Sequence, residues 1–167
     1  HYLQSIRTEY WQKVYSSTIS TGGPSPYCLS VCDELDVSCN LLEVGCGNGR
    51  DSFYFASQGH HVMGIDTCLA AIDFCRSMQA PNSTFLCGSL ASVVPHITRQ
   101  PTVIYSRFCL HAMTEAEQSE TLETAHLLLP LAGKLYVECR SILDPMADMG
   151  EALSPTERNF GHYRRFI

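Results

Sequence analysis

The stretch Glu43-Val44-Gly45-Cys46-Gly47-Asn48-Gly49-Arg50 does most to limit what this chain can fold into. Its glycines follow the apolar run Leu41 to Val44, and a helical pattern then runs from Gly49 to Gln58, where Gly59 stops it. A strand that ends in a glycine turn and enters a helix brings backbone close to whatever lies above it, in a space that larger side chains would fill. A second apolar run, His61 to Ile65, ends at Asp66, roughly 20 residues on, where an acid can hold ribose hydroxyls. Glycine turn and acid together define an adenosine-ribose site.

The rest of the chain fits around that unit. Leu3, Ile6, Tyr10 and Val14 recur at helical spacing and predict an opening amphipathic helix. Thr21-Gly22-Gly23-Pro24-Ser25-Pro26 ends it as a loop, and a short helix follows over Tyr27 to Leu35. Further strands are expected over 84–87, 103–106 and 134–139. Thr67 is expected to cap a helix reaching Gln79, and Thr114 with Glu117 forms a capping box that opens another helix, which leaves through Pro130 and Gly133. Strands alternating with helices predict a Rossmann-like α/β domain: a parallel sheet of order 3-2-1-4-5, helices on both faces, and the site at the carboxyl ends of the first and fourth strands. After the fifth strand only 141–167 remain, interrupted by Asp144-Pro145 and Ser154-Pro155, so the sheet can stop at five strands. The expected organisation is one domain: a helical lid over 1–40, a cofactor-binding core over 41–140 and a substrate-side tail over 141–167.

Charge narrows the partners. The chain carries a net −6, and its two lysines are Lys13 and Lys134, so no basic stripe exists to track a long nucleic acid. The one basic cluster is His162-Tyr163-Arg164-Arg165. No apolar run approaches the roughly 20 residues of a membrane span. A cytoplasmic monomer with no membrane partner is expected. The chain opens on His1, which suits a processed product or a piece of a longer polyprotein. Nine cysteines, odd in number and without paired spacing, read as reduced thiols rather than a disulfide framework. Cys28, Cys32 and Cys39 are the set that could share a metal with a distant histidine; no C-x-x-C pair supports one, and no metal is assigned.

The loop reads E-x-G-x-G-x-G, with Glu43 two residues before its first glycine, where dinucleotide loops read G-x-G-x-x-G. In this, in Gly64-Ile65-Asp66 and in Leu128-Leu129-Pro130-Leu131-Ala132-Gly133-Lys134-Leu135, the chain resembles class I S-adenosylmethionine-dependent methyltransferases from about Tyr10 to Arg140. The resemblance implies that S-adenosyl-L-methionine is the cofactor. It places Glu43 toward the methionine end, Gly45, Cys46, Gly47, Asn48 and Gly49 beneath the cofactor, and Asp66 with Thr67 at the ribose. It also places Ser89 against adenine, where the family usually has an acid, and Ser106 beside the methyl donor. Tyr10-Trp11-x-x-x-Tyr15 looks like the family's aromatic lid, with Trp11 on the cofactor; packing of an amphipathic helix explains it equally well.

Transfer of a methyl group from a sulfonium is largely positioning, so no catalytic residue is assigned. Ser106-Arg107-Phe108-Cys109-Leu110-His111 resembles the segment of mRNA cap guanine-N7 methyltransferases in which an aromatic and a histidine contact guanine. That resemblance implies substrate contacts from Arg107, Phe108 and His111. Glu138 could read the guanine amide edge, and Tyr163 with Arg164 could add stacking and charge for a capped RNA 5′ end. Bacterial small-molecule methyltransferases carry similar segments and a similar tail. The expected function is therefore methylation of the RNA cap guanine at N7 by a viral polyprotein domain in host cytoplasm; the alternatives are N- or O-methylation of a small molecule and an inactive cofactor-binding module. Plain packing of Phe108 and His111, and pairing of Glu138 with Arg107 or Arg140, is the bland reading of the same residues.

Overall fold

The computed structural model describes residues 2–17, 22–35 and 37–167, with side chains from Ile6 onward. Leu3 and Thr21, used above to predict the first helix and its exit, lie outside the described side chains.

Helices α1 (Tyr2–Ser16) and α2 (Pro26–Asp33) come first. The core then runs β1 (Asn40–Val44), α3 (Arg50–Ser57), β2 (His61–Asp66), α4 (Leu69–Ser77), β3 (Ser83–Cys87), α5 (Leu90–Val93), β4 (Val103–Arg107), α6 (Glu115–Leu128) and β5 (Lys134–Glu138). The five strands form one sheet in the order β3-β2-β1-β4-β5, and each adjacent pair is parallel. No described helix is long and apolar enough to cross a membrane.

Alternation along the strands sorts side chains to the two faces. Leu41, Val62, Val103 and Tyr105 pack under α2 and α3 with Cys28, Val31 and Phe55. Leu42, Val44, Ile65 and Ile104 pack on the other face with Leu90, Val93 and Ala125 of α5 and α6. A third cluster, Cys46, Ile72, Cys75 and Phe85, seats α4 on the β2–β3 side. Six of the nine cysteines thus act as small apolar or half-buried packing residues around these clusters, and all nine are free thiols.

The capping box at Thr114 forms: its hydroxyl accepts from Glu117 N–H at 3.3 Å, and Glu117 accepts from Thr114 N–H at 2.8 Å. The cap of α4 differs from expectation. Cys68, not Thr67, is the N-cap residue and offers no side-chain cap. Asp66 takes over, accepting from Cys68 N–H at 2.8 Å, and the helix stops at Ser77 rather than Gln79. The main sheet ends at five strands. The tail instead folds into a small antiparallel sheet of β6 (Glu151–Ala152), β7 (Glu157–Asn159) and β8 (Tyr163–Arg165). Ile167 ties that sheet back to the end of β5 through Arg140 O at 3.0 Å and Ile142 N–H at 3.1 Å.

Candidate functional site

β1 delivers the glycine loop to the carboxyl edge of the sheet, where Gly45 and Cys46 N–H both donate to Ile65 O, at 2.8 and 2.9 Å. Gly45 (φ 76°) and Gly47 (φ 52°) sit in the left-handed region, which suits glycine and strains other residues. Neighbours demand glycine as well. A Cβ on Gly45 would collide with the Cys109 sulfur, and one on Gly47 with the Tyr15 hydroxyl. Tyr15 of α1 therefore lies directly against the loop at Gly47.

Two acids face this loop. Asp66 Oδ2 accepts from Gly47 N–H at 2.9 Å, while Oδ1 serves Cys68. A carboxylate has about four lone-pair sites, so capacity remains for a ligand's hydroxyl. Burial raises its pKa above the ordinary value, and the backbone N–H groups oppose that shift. Glu43 is 4% exposed and receives a hydrogen bond from the Ser52 hydroxyl. Burial pushes its carboxyl well above the usual range, and neighbouring Asp51 adds to the rise.

Two cavities open from the loop. One, of about 400 Å³, is lined by Gly45, Asp66, Thr67, Ser89, Met113 and Glu117 among others. The second, of about 320 Å³, is lined by Glu43, Gly47, Asn48, Arg107 and Phe108 among others. They share Trp11, Gly45, Asp66, Thr67 and Cys109. The first suits a base and ribose, and the second a short polar chain. Arg7 secures α1 beside the first: it donates to both Glu117 oxygens at 2.7 and 2.9 Å and to Ala112 O at 2.9 Å. Arg7 pulls the Glu117 pKa down to about 2.

Ser106, expected beside a methyl donor, sits between β4 and β1. It is 3% exposed, donates to Val44 O at 3.1 Å and lines neither cavity, because its side chain ties β4 to β1. Cys109, three residues on, reaches both cavities instead. Trp11, Glu43, Gly45, Cys46, Gly47, Asn48, Asp66, Thr67 and Ser89 each line at least one. Gly49 is the left-handed N-cap of α3 and lines neither cavity.

The remaining candidates gather beyond Phe108. Arg107 donates to Glu138 at 2.6 Å and lies 4.1 Å from the Phe108 ring centre. His111 is buried, and its Nδ1 accepts from Arg140 N–H at 3.3 Å. Burial first, then Arg164 and Arg140, lower its pKa to about 4, so it is neutral near pH 7. Tyr163 is 6% exposed and donates to Glu157 at 2.6 Å within the tail sheet, so its ring is turned inward rather than offered for stacking. Arg164 reaches His162 Nε2 at 3.1 Å.

Asp51 is a residue that the motif reading passed over. It is buried at the start of α3, lines the smaller cavity and accepts from Ser25 N–H at 2.8 Å, Ser25 Oγ at 2.7 Å and Tyr105 OH at 2.7 Å. An acid in a first helical turn is ordinary, so the sequence carries no sign of this network.

Comparison with known proteins agrees with the sheet order. The chain is 29% identical over 98 residues (56% of this chain, 43% of the relative) to a 2-heptyl-1-hydroxyquinolin-4(1H)-one methyltransferase of Mycobacteroides abscessus. It is 25% identical over 119 residues (70% of this chain, 55% of the relative) to an uncharacterised methyltransferase of Synechocystis. It spans about half the length of these curated relatives. The fold matches the solved DhpI–SAM–HEP complex with a TM-score of 0.71 at 15% identity, covering 100% of this chain and 82% of that one. Residues 41–133 match the methyltransferase domain, and the chain belongs to that family.

Proposed function

We propose that this chain binds S-adenosylmethionine along the glycine loop and transfers its methyl group to a small molecule held on the Phe108 side. The pair of joined cavities on either side of Gly45 and Asp66 carries this reading. The residues fit the cofactor. Asp66 keeps capacity for a ribose hydroxyl, the larger cavity with Ser89 and Met113 takes a base, and buried Glu43 would regain its charge beside a cationic group.

When bound, the cofactor supplies a methyl group on a positively charged sulfur for in-line displacement. The chain's own groups align and enclose. Trp11 and Tyr15 roof the loop and exclude water, while Arg107 and Phe108 wall the smaller cavity. His111, neutral and with its Nδ1 engaged by Arg140, provides no strong base. The acceptor therefore brings a free lone pair or an already ionised atom.

The guanine-N7 cap reading rests on Phe108, His111 and Glu138. A relative matched over 39% of this chain is an 18S rRNA (guanine-N(7))-methyltransferase of Bos taurus, but here the Glu138 carboxylate is taken by Arg107 and His111 lies buried, while a relative matched over 56% of this chain acts on a small heterocycle. The side-chain arrangement and the longer match favour a small-molecule acceptor.

Calorimetry with S-adenosylhomocysteine tests the cofactor half. Binding should be seen, NAD should not compete, and Gly47→Val should abolish it; unchanged affinity in that variant would refute the loop assignment. Labelled donor offered with hydroxyquinolone-type heterocycles and with GpppA-capped RNA tests the acceptor. Transfer to RNA that disappears on N7-methylated caps would establish the cap reading instead.

A further inference from the structure

Behind Phe108 lies a charge imbalance that methyl transfer does not explain. Arg107 and Arg140 bracket the Phe108 ring, their guanidinium carbons 4.1 and 5.2 Å from its centre. Arg107 is neutralised by Glu138 at 2.6 Å, and Arg140 by Asp144 at 2.7 Å. Arg164 is different: none of the ion pairs among the described residues includes it. Its neighbours are His162 Nε2 at 3.1 Å, the Met146 sulfur at 3.8 Å and the Phe160 ring at 5.5 Å. Asp144 is the one carboxylate felt by both Arg140 and Arg164, and the two guanidinium groups repel each other. The nearby histidines leave this balance unchanged, because burial and the arginine charges keep His111 and His162 neutral near pH 7. Two positive charges against one negative leave a residue of +1 in a half-buried place, where an uncompensated charge is costly.

Two hydrogen-bond donors are left over in the same place. Arg140 Nε is buried without a partner, and so is Nδ1 of His162, a residue only 9% exposed. His162 Nε2 accepts from Arg164, which leaves the proton of the neutral ring on Nδ1. Buried donors without partners are rare in folded proteins and call for an explanation. Above them lies the lid: Tyr10 stacks on His162 at 4.2 Å, and Trp11 meets its edge at 6.1 Å. The cluster thus sits where α1 meets the tail, next to the Phe108 wall of the smaller cavity.

We infer that Arg140, Arg164 and His162 form a binding site for an oxyanion, a carboxylate or phosphate carried by the methyl acceptor, which enters as the lid helix lifts from His162. This rests on the methyl-transfer reading and sharpens it, since the acceptor becomes an acidic small molecule. The oxyanion supplies the missing negative charge and accepts from the orphaned N–H groups, and guanidinium geometry matches it.

The probes are phenyl phosphate and benzoate, with benzyl alcohol as the neutral match, titrated into protein saturated with S-adenosylhomocysteine. Fluorescence of Trp11, the single tryptophan, reports binding. The anions should bind at least tenfold more tightly than benzyl alcohol, and less tightly as salt rises. Arg164→Gln should weaken phenyl phosphate about tenfold without changing S-adenosylhomocysteine affinity, and Arg164→Lys should recover most of the loss. A merely structural Arg164 would not distinguish anionic from neutral probes. Equal binding of all three probes to the wild-type protein, or an Arg164→Gln variant that binds phenyl phosphate normally, overturns the anion site alone. Failure of S-adenosylhomocysteine to bind overturns the methyl-transfer reading beneath it.

Discussion

Glu138 holds Phe108 in two ways: its carbonyl oxygen accepts from Phe108 N–H at 2.7 Å, and its carboxylate accepts from Arg107, which covers the ring. The two strands stand in register at Arg107 and Glu138, so the pairing follows from the sheet. Phe108 needs such support, because its φ of 52° is unusual for a residue with a side chain. Glu138→Gln keeps the shape and removes the charge. Arg107 and Glu138 side chains are 22% and 35% exposed, so stability should fall by no more than about 1 kcal/mol. The acceptor KM should rise several-fold while S-adenosylhomocysteine affinity holds. A parallel loss of cofactor affinity would move this pair out of the acceptor half.

Gly47 and Tyr15 supply a second test. Gly47→Ala places a side chain at a left-handed φ, costing about 1–2 kcal/mol, and drives its Cβ into the Tyr15 hydroxyl. Tyr15→Ala removes the obstacle but not the backbone strain. In a double-mutant cycle read by urea unfolding the two changes should couple by about 1 kcal/mol. Additive losses would mean that the lid does not rest on the loop in solution.

What could be read from the sequence was what depends on local rules. The glycine turn, the capping box at Thr114 and the alternation of apolar runs gave the five-stranded order, because each is a short-range signal with a backbone cause. The sequence leaves Ser106 open, because a hydroxyl at a strand end can face a ligand or the next strand; in the structure it donates to Val44 O and ties β4 to β1. The Asp51 network joins residues 26 and 54 positions apart, and no local pattern announces it. The tail strands are two or three residues long, too short for periodicity to register.

Asp51 should prove a stability residue as much as a site residue. Asp51→Ala would strand three buried donors, two from Ser25 and one from Tyr105. Loss of a charged acceptor from buried groups costs about 3–5 kcal/mol, a large share of the stability of a domain this size. Asp51→Asn keeps one acceptor oxygen and should lose less. Urea midpoints of the two variants check this, and equal, small losses would show that water replaces Asp51 freely.

His111 gives the protein a predictable response to acid. Its pKa falls from 6.5 to about 4 in the folded state, through burial and then the charges of Arg164 and Arg140. Between those values the unfolded chain binds a proton that the folded chain refuses, so stability is full above pH 6.5 and declines as pH falls toward 4. A shift of that size corresponds to at most about 3 kcal/mol. His60 and His162, also lowered, act in the same direction. His111→Gln retains an acceptor for Arg140 N–H but cannot titrate. Urea midpoints measured from pH 8 to pH 4 should therefore drop less steeply in the variant than in the wild type, with the difference concentrated below pH 6.5. Arg164→Gln should move the wild-type decline to lower stability cost, because one of the charges that repels a proton from His111 is gone. Parallel pH profiles for wild type and His111→Gln would show that the histidine ionises as freely in the folded protein as in the unfolded chain, contrary to its burial.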